Sequence, residues 1–244
     1  GWAGAEWIQV GTSLKQPAEE QGPLTYCFEA DFQIEKSAVS PVFQAAGKSD
    51  FLMWQFQADG GRLYFRPHYK VGGGYVLIGQ DDVSAYLSGD AKAAQRLKVE
   101  VKNLQIDTYL NGHLISTITE KTLNGMRLSG AVGDFGFRVT DNGQESGWLD
   151  NIRLTGYVDG GQAETLAEYG FDDGVNPFTD GSVRDGRLYM SNESASEVVA
   201  LRQTGKDVPD DLHYTVEADI TCQEGAASIV FNAANTKNFY LFQL

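Results

Sequence analysis

The sequence predicts an all-β protein. We expect an antiparallel two-sheet sandwich of the jelly-roll type over residues 1–157, a linker over residues 158–168, and part of a second sandwich of the same type over residues 169–244. Three observations favour this fold. Apolar and polar residues alternate with a period of two, Gly and Asn separate the alternating segments, and one stretch of the chain occurs twice.

The repeat relates residues 26–56 to residues 214–244 with a constant offset of 188 and no gap. Twelve of the 31 aligned positions are identical, and about half of the others exchange one apolar residue for another. In the first copy Phe28, Ala30 and Phe32 alternate with polar residues, as in a strand that is half-buried against a core. Each copy therefore begins with a strand and is expected to build the same part of a sandwich.

The segments that follow the first copy continue the strand pattern. "LKVEVKN", "QIDTYL" and "HLISTI" alternate, and Asn111-Gly112 between the last two predicts a type I′ hairpin turn, in which both central residues have positive φ. "DFGFRV" and "WLDNIRL" read as two closing strands. We count about ten strands between Trp7 and Tyr157, with one short helix near residues 84–87.

The predicted second domain is shorter than the first. The stretch "VDGGQAETLAE" (residues 158–168) is polar and contains Gly, which is typical of a linker. The first copy is followed by about a hundred more residues of its domain, whereas the second copy is not. Half a sandwich leaves an apolar sheet face uncovered. We therefore expect a fragment whose second sheet comes from a longer natural chain, from another chain or from the first domain.

Charge and composition restrict the function. The chain has 19 Lys and Arg residues against 33 Asp and Glu residues, a net charge of −14 that disfavours nucleic acid and anionic lipid as partners. Its longest apolar runs fall short of the roughly 20 residues that span a bilayer, so membrane insertion is not expected. The opening residues lack the pattern of a secretion signal. The compartment stays open, with an extracellular or periplasmic location favoured over the cytoplasm.

Cysteine and histidine give little sign of a reactive site. Cys27 and Cys222 fall in different copies of the repeat, and we expect two free thiols. The three histidines, His68, His113 and His213, are far apart and lack the neighbours of a zinc site or of a catalytic triad.

Several phrases together resemble a known family. They are "AEWI", "FLMWQF", "RLYFRPH", "GFR", "LDNIRL" and "FDDGVNPFTDGSVRDGRLYMS". They resemble the N-terminal region of bacterial α-L-rhamnosidases of glycoside hydrolase family 78, in which concanavalin A-like (laminin G-like) sandwiches precede a helical catalytic barrel. The resemblance implies an accessory region of a hydrolase whose C-terminal catalytic domain is missing here. It also implies a rhamnose-containing glycan or plant polysaccharide as the partner of the parent enzyme.

No catalytic residue is predicted. Glu29 and Asp31 lie on one strand face roughly 7 Å apart, a separation that inverting glycosidases use. Two carboxylates side by side on an open strand nevertheless lack the different environments that would separate their pKa values. We expect them to be structural, bonded to an Arg of a neighbouring strand or to a loop.

A sugar-binding patch is predicted on two neighbouring strands. Gln55 points away from the core, and Tyr64, Arg66 and His68 share the corresponding face of "RLYFRPHY". Amide, guanidinium, imidazole and aromatic groups on one sheet face can bind a sugar by hydrogen bonds and stacking. The same residues could instead pack against the missing catalytic domain or simply be solvated.

Two neighbours of this patch have structural explanations. Trp54 could serve as a stacking platform, but it shares a face with Leu52 and Phe56 and is expected in the core. Pro67 has no backbone N–H, which marks an edge or a bend in its strand.

The predicted function is that of a non-catalytic accessory region, carbohydrate-binding or structural, of a bacterial α-L-rhamnosidase. A laminin G-like adhesion or protein-recognition module is the alternative. No cofactor is required. The resemblance to concanavalin A-like domains is compatible with a structural Ca²⁺ ion, whose ligands the sequence does not locate.

Overall fold

The computed structural model describes residues 24–102, 105–119, 134–158, 162–202, 228–235 and 238–243. The chain divides into two compact units, Gly1–Thr204 and Gly205–Leu244. The first unit holds two antiparallel sheets that face each other, and the second holds a hairpin.

The strands of the first unit alternate between its two sheets several times along the chain. They are β1 (Leu24–Lys36), β2 (Ala38–Gly47), β3 (Asp50–Asp59), β4 (Arg62–Val71), β5 (Gly74–Leu77), β6 (Asp81–Asp82), β7 (Gln95–Lys102), β8 (Gln105–Leu110), β9 (His113–Thr119), β10 (Asp134–Val139), β11 (Ser146–Val158), β12 (Gln162–Tyr169), β13 (Ser182–Arg184), β14 (Arg187–Ser191) and β15 (Val198–Leu201).

The strand order defines a first and a second sheet. The first has the order β13-β14-β11-β1-β7-β8-β9, and β12 also pairs with β11. The second has the order β15-β10-β2-β3-β4-β5, and β6 also pairs with β4. This arrangement confirms the predicted two-sheet antiparallel sandwich.

The core between the sheets is built from the inward residues of the alternating strands. Trp54 of β3 and Phe28 of β1 are fully buried, and Phe43 lies against both of them with ring centroids 5.6 and 4.8 Å away. Trp54 also donates a hydrogen bond from Nε1 to Thr108 Oγ1 on the first sheet, over 2.8 Å. Its burial confirms the core position predicted for it, and the hydrogen bond ties the two sheets together in the core.

Local features of the prediction are also confirmed. Asn111 and Gly112 have φ of 50° and 81° between β8 and β9, as a type I′ turn requires. The predicted short helix is a single 3-10 turn at Ser84–Tyr86.

In the described part of the chain no helix is long and apolar enough to span a membrane.

Pro67 lies where pairing on one side of β4 is interrupted. On that side β5 pairs with residues 68–71 and β6 pairs with residues 64 and 65, so no strand pairs with residue 67. On the other side Pro67 stands opposite Trp54 of β3. The predicted edge is therefore present, since a residue without an N–H is tolerated at such a gap.

The domain boundaries differ from the predicted ones. Most of the predicted linker, residues 162–168, is the strand β12, which runs antiparallel to β11. Strands β13 and β14 extend the first sheet and β15 extends the second, so residues 169–202, predicted to begin a second domain, complete the first sandwich. Phe178 packs against Phe135 and Phe137 of this same core, with ring centroids 6.0 and 5.1 Å away. The apolar residues of this segment are therefore core residues of the first unit.

The second unit repeats a hairpin of the first. Its strands β16 (Ser228–Asn235) and β17 (Asn238–Gln243) pair Val230 with Leu241 and Phe231 with Tyr240. Subtracting the offset of 188 from these positions gives Val42 with Met53 and Phe43 with Leu52, and both of these pairs are formed between β2 and β3. Both hairpins also shift register before the turn. The internal repeat is thus a repeat of strand pairing. The sandwich predicted around it, including Glu217, Asp219 and Cys222, lies outside the described residues.

The pairing of β10 with β15 gives a test of the boundary. A Cβ atom at Gly136 would lie 1.9 Å from the carbonyl oxygen of Ala200 on β15. We expect Gly136→Ala to lower the free energy of unfolding by about 1–3 kcal/mol, because one of the two strands must shift. Urea denaturation of the full chain measures this. The control is Gly74→Ala, whose Cβ would have 3.7 Å to its nearest neighbour. Equal stability of the two variants would mean that β15 does not pack on β10.

Candidate functional site

The strand alternation that buries Trp54 places polar side chains on the outward surface of the second sheet. We call this surface the polar face. It is formed by Gln55 and Gln57 of β3 and by Tyr64, Arg66 and His68 of β4. Gln55 lies directly opposite Arg66, and Gln57 lies opposite Tyr64. The four residues predicted from sequence therefore share one face and are neighbours.

Arg66 is the centre of the polar face. Its Nη1 donates to Gln55 Oε1 over 2.9 Å and to Gln57 Oε1 over 2.7 Å. Its Nε is buried and has no acceptor among the described residues. Burial lowers the pKa of Arg66, and the charge of Glu145 opposes this shift. Arg66 is thus held by neutral amides at Nη1, while its Nε and Nη2 donate to none of the residues that the structure describes.

Gln55 has a positioning role. It is 7% exposed, and its Nε2 donates to Glu145 Oε1 over 3.0 Å while its Oε1 accepts from Arg66. Both ends of the amide are therefore engaged within the protein. Gln55 therefore orients Arg66, and little of the residue is exposed.

His68 is neutral and has a defined tautomer. Its Nδ1 lies 2.8 Å from the carbonyl oxygen of Arg66, so Nδ1 carries the proton and donates, which leaves Nε2 as an acceptor. Burial lowers the pKa of His68 to about 4, and the positive charges of Arg66 and Arg138 add to this shift. At neutral pH the ring therefore presents an unprotonated nitrogen beside the unused donors of Arg66.

A network of ion pairs lies beside the polar face. Arg138 of β10 donates from Nη1 to Glu145 over 2.8 Å and from Nε to Glu197 over 3.1 Å. Glu197 also accepts from Lys70 Nζ over 2.5 Å and from the hydroxyl of Tyr75 over 2.8 Å. Although burial raises the pKa of Glu197, these hydrogen bonds outweigh burial and hold it below its usual range. Burial and the bond to Glu197 raise the pKa of Tyr75, so its hydroxyl stays protonated.

Glu145 connects this network to the polar face. One oxygen accepts from Gln55, and the other accepts from Arg138 and from the backbone N–H of Thr140 over 2.9 Å. The carboxylate is 7% exposed and has three donors around it. Arg66, Gln55, Glu145, Arg138 and Glu197 therefore form one continuous chain of polar contacts across the sheet.

Sequence reasoning missed six residues of this region. Gln57 could have been predicted, because it is two residues from Gln55 on the same strand face. The others are Lys70, Tyr75, Arg138, Glu145 and Glu197. No local pattern singles out Arg138, Glu145 or Glu197. Arg138 lies on β10, which pairs with β2 and β15, Glu197 directly precedes β15, and Glu145 lies in the connection between β10 and β11.

Glu29 and Asp31 are structural, as predicted. Arg96 of the neighbouring strand β7 pairs with Glu29 Oε1 over 3.2 Å and with Asp31 Oδ1 over 3.1 Å. Asp31 also accepts from Asn151 Nδ2 over 2.8 Å. Both carboxylates thus bind the predicted partner, an Arg on the adjacent strand.

The structural Ca²⁺ ion that the family resemblance would allow stays a prediction. Among them no group of three or more His, Cys, Asp or Glu side chains is placed to hold a metal ion. Cys27, the one cysteine in the described ranges, is a free and buried thiol. Burial raises the pKa of this thiol to about 12, which makes it a poor nucleophile and metal ligand.

Comparisons with known proteins give a partial structural likeness. No protein-family model matches the chain, and no curated protein matches it. The carbohydrate-binding module CBM66 from Bacillus subtilis is similar over 41% of this chain and 62% of its own length, with 14% identity and a TM-score of 0.33. Less than two thirds of that module is thus aligned.

Two further solved structures align over more of this chain. The homodimeric agglutinin CG-16 from chicken liver covers 62% of it and 93% of its own length, with 9% identity and a TM-score of 0.34. A tetrameric galectin from the ball sponge Cinachyrella sp. covers 60% and 91%, with 11% identity and a TM-score of 0.32. At these identities and scores we draw no function from the likeness.

The tautomer and pKa of His68 predict a pH effect on stability. In the unfolded chain His68 has a pKa near 6.5, roughly the model-peptide value, and in the folded protein about 4. Between these values the unfolded state holds more protons, so stability falls as the pH is lowered from 6.5 to 4. We expect the stability difference between wild type and His68→Gln to shrink over this range.

Urea denaturation of both proteins at several pH values between 7 and 4 measures this difference. His113→Gln, which changes an exposed histidine of the opposite sheet, is the control and should follow wild type. A constant difference between wild type and His68→Gln across the range would show that His68 is not held neutral.

Proposed function

We propose that the polar face binds carbohydrate and that this chain is a non-catalytic accessory region of a bacterial glycoside hydrolase, an α-L-rhamnosidase that acts on rhamnose-containing glycans. The observation that carries the sugar-binding role is the pairing of unused donors on Arg66 with the free acceptor of His68 two residues along β4. The family resemblance supports an α-L-rhamnosidase as the parent enzyme. Two of the phrases that carry this resemblance, "FLMWQF" and "RLYFRPH", lie in β3 and β4, the strands that bear the polar face.

The chemistry of the polar face suits sugar hydroxyl groups. A hydroxyl both donates and accepts, so it is best recognised where a donor and an acceptor lie side by side. Arg66 donates, His68 Nε2 accepts, and the part-exposed Tyr64 offers a hydroxyl and an aromatic ring. These residues follow one another at every second position of one strand, roughly 7 Å apart. Adjacent sugar hydroxyls could thus be bound by adjacent side chains.

The donors are held in place before any ligand arrives. Two amide oxygens fix Nη1 of Arg66, and Glu145 fixes the amide of Gln55. Ordering a free Arg side chain on binding would cost about 0.5–1.5 kcal/mol, which this arrangement largely avoids. Rigid supporting contacts of this kind favour binding.

Hydrolysis at this face is disfavoured by its carboxylates. A glycosidase needs one carboxyl that is protonated and one that is ionised, with both free to reach the sugar. Glu145 accepts three hydrogen bonds, and Glu197 is ionised by its contacts with Lys70, Tyr75 and Arg138. Both carboxylates are thus engaged by donors within the protein. We therefore assign the hydrolytic step to the catalytic domain of the proposed parent enzyme.

A protein-recognition module is the second candidate, and one observation favours it. Val71 and Val76 at the β4–β5 hairpin are 56% and 43% exposed. Exposed apolar residues close together can contact a protein surface, including that of a neighbouring catalytic domain. This candidate uses the tip of the hairpin, whereas the sugar site uses the polar face, so substitutions can separate them.

Binding of rhamnose-containing oligosaccharides, measured by isothermal titration calorimetry, tests the proposal. We expect Arg66→Ala to weaken binding roughly 10- to 100-fold, because a hydrogen bond from a charged donor is worth about 1.5–3 kcal/mol. His68→Ala should weaken it less, since His68 is neutral. Arg153→Ala, which changes an exposed Arg on the opposite sheet, is the control and should bind like wild type.

Two outcomes would contradict the sugar site. Binding that survives Arg66→Ala and His68→Ala would place it elsewhere on the protein. Absence of binding to rhamnosyl glycans, together with loss of binding to a partner domain in Val76→Asp, would favour the protein-recognition candidate.

A further inference from the structure

We infer, on the basis of the sugar site proposed above, that the glycan bound by the polar face carries a carboxylate, as in a uronic acid, and that Arg66 binds this group. The balance of charges on the outward surface of the second sheet supports this class of ligand.

The other cations of this surface are neutralised by carboxylates. Lys70 pairs with Glu197 over 2.5 Å, and Arg138 pairs with Glu145 over 2.8 Å and with Glu197 over 3.1 Å. At the end of β4 Arg62 pairs with Asp82 over 3.1 Å. Each of these side chains has its counter-ion within the protein.

Arg66 differs from these residues. Among the residues that the structure describes, no carboxylate forms an ion pair with it, and its acceptors are the neutral amides of Gln55 and Gln57. Glu145 is near enough to influence its pKa, but that carboxylate is already bound by three other donors. Among the described residues of this surface, the three cations Lys70, Arg66 and Arg138 are therefore balanced by only two carboxylates, Glu145 and Glu197. Arg66 is the cation that has no carboxylate partner.

A part-buried cation without a counter-ion is an unfavourable arrangement unless a ligand supplies the missing charge. In Arg66, Nε is buried without an acceptor and Nη2 donates to no described residue. Nε and Nη2 form one edge of the guanidinium plane, the edge that matches the two oxygens of a carboxylate. We expect the carboxylate of the ligand to accept a hydrogen bond from Nη2, because Nε is buried. The missing acceptor at Nε nevertheless favours negative charge at this edge of the guanidinium group.

The surroundings favour a sugar carboxylate over an acidic side chain of a protein. His68 Nε2 and the Tyr64 hydroxyl lie next to Arg66 on the same strand and offer partners for hydroxyl groups. An acidic peptide would leave these groups without comparable partners, whereas a uronic acid has hydroxyls beside its carboxylate.

Calorimetry with a matched pair of ligands tests this inference on the full chain. One ligand is an oligosaccharide of rhamnose and uronic acid units, and the other is the same oligosaccharide with its carboxyl groups reduced to alcohols. We expect wild type to bind the acidic form about 10-fold more tightly or better, because a charged acceptor strengthens the bond from Arg66.

Arg66→Gln should remove this preference and bind the two forms with similar affinity, since glutamine keeps a donor but has no charge. Arg66→Lys keeps the charge and should retain part of the preference, which separates a charge effect from a folding defect. Arg153→Gln on the opposite sheet should behave as wild type.

Four outcomes would overturn the inference. If wild type binds both forms equally, the sugar site stands but its ligand is neutral. If neither form binds, both the inference and the proposed function fail. If the preference for the acidic form persists in Arg66→Gln, the carboxylate is bound elsewhere on the protein. If an acidic peptide competes better than the oligosaccharide, the ligand is a protein.

The pKa of His68, measured by NMR with and without ligand, is a second readout. If Arg66 had only a structural role, adding the acidic ligand would not raise this pKa. A bound carboxylate brings negative charge close to the ring, which faces Arg66 and Arg138 and contacts Tyr75. It should raise the pKa of His68, whereas the reduced ligand adds only burial and should not raise it. A pKa that does not rise with the acidic ligand would contradict binding at Arg66.

Discussion

The period of two along β3 and β4 is the constraint on which both the core and the polar face depend. Trp54 is fully buried and bonded to Thr108 of the opposite sheet, so the residue that follows it, Gln55, must point outward. A shift of one residue in the β3–β4 register would exchange the buried and outward faces, and the large aromatic side chains forbid this exchange. The packing of the core therefore fixes the position of Arg66 opposite Gln55. The precision of the candidate site derives from the buried side of the same two strands.

Sequence patterns predicted the sandwich because its signals are local. Alternation in β1, the Asn111-Gly112 turn and the repeated hairpin each lie within a few neighbouring residues. The boundary of the first unit was not predictable in this way. Residues 163–166 of β12 are all exposed, as in a linker, although the strand pairs with β11. Strands β14 and β15 pair with strands that precede them by tens of residues, and β13 pairs with β14. Such pairing leaves little trace in composition or periodicity.

The candidate site was likewise predictable only in its local part. The part carried by the β3–β4 hairpin was predicted, because Gln55, Tyr64, Arg66 and His68 follow from alternation alone. The part that gives those residues their chemistry was not. Glu145, which lies 90 residues from Gln55 in sequence, orients its amide, and the charge of Arg138 contributes to the low pKa of His68. Sequence could therefore indicate which side chains meet, but not that Arg66 would be left as the unpaired cation among them.

The repeated hairpin extends this reasoning to the second unit. Because β16 and β17 pair as β2 and β3 do, Gln243 occupies the position in its hairpin that Gln55 occupies in the first, and Phe242 the position of Trp54. A two-stranded hairpin is marginally stable in water on its own, and β2 and β3 are stabilised by a facing sheet that buries Trp54 and Phe56. The same alternation in β17 implies a similar need for a layer that covers one of its faces.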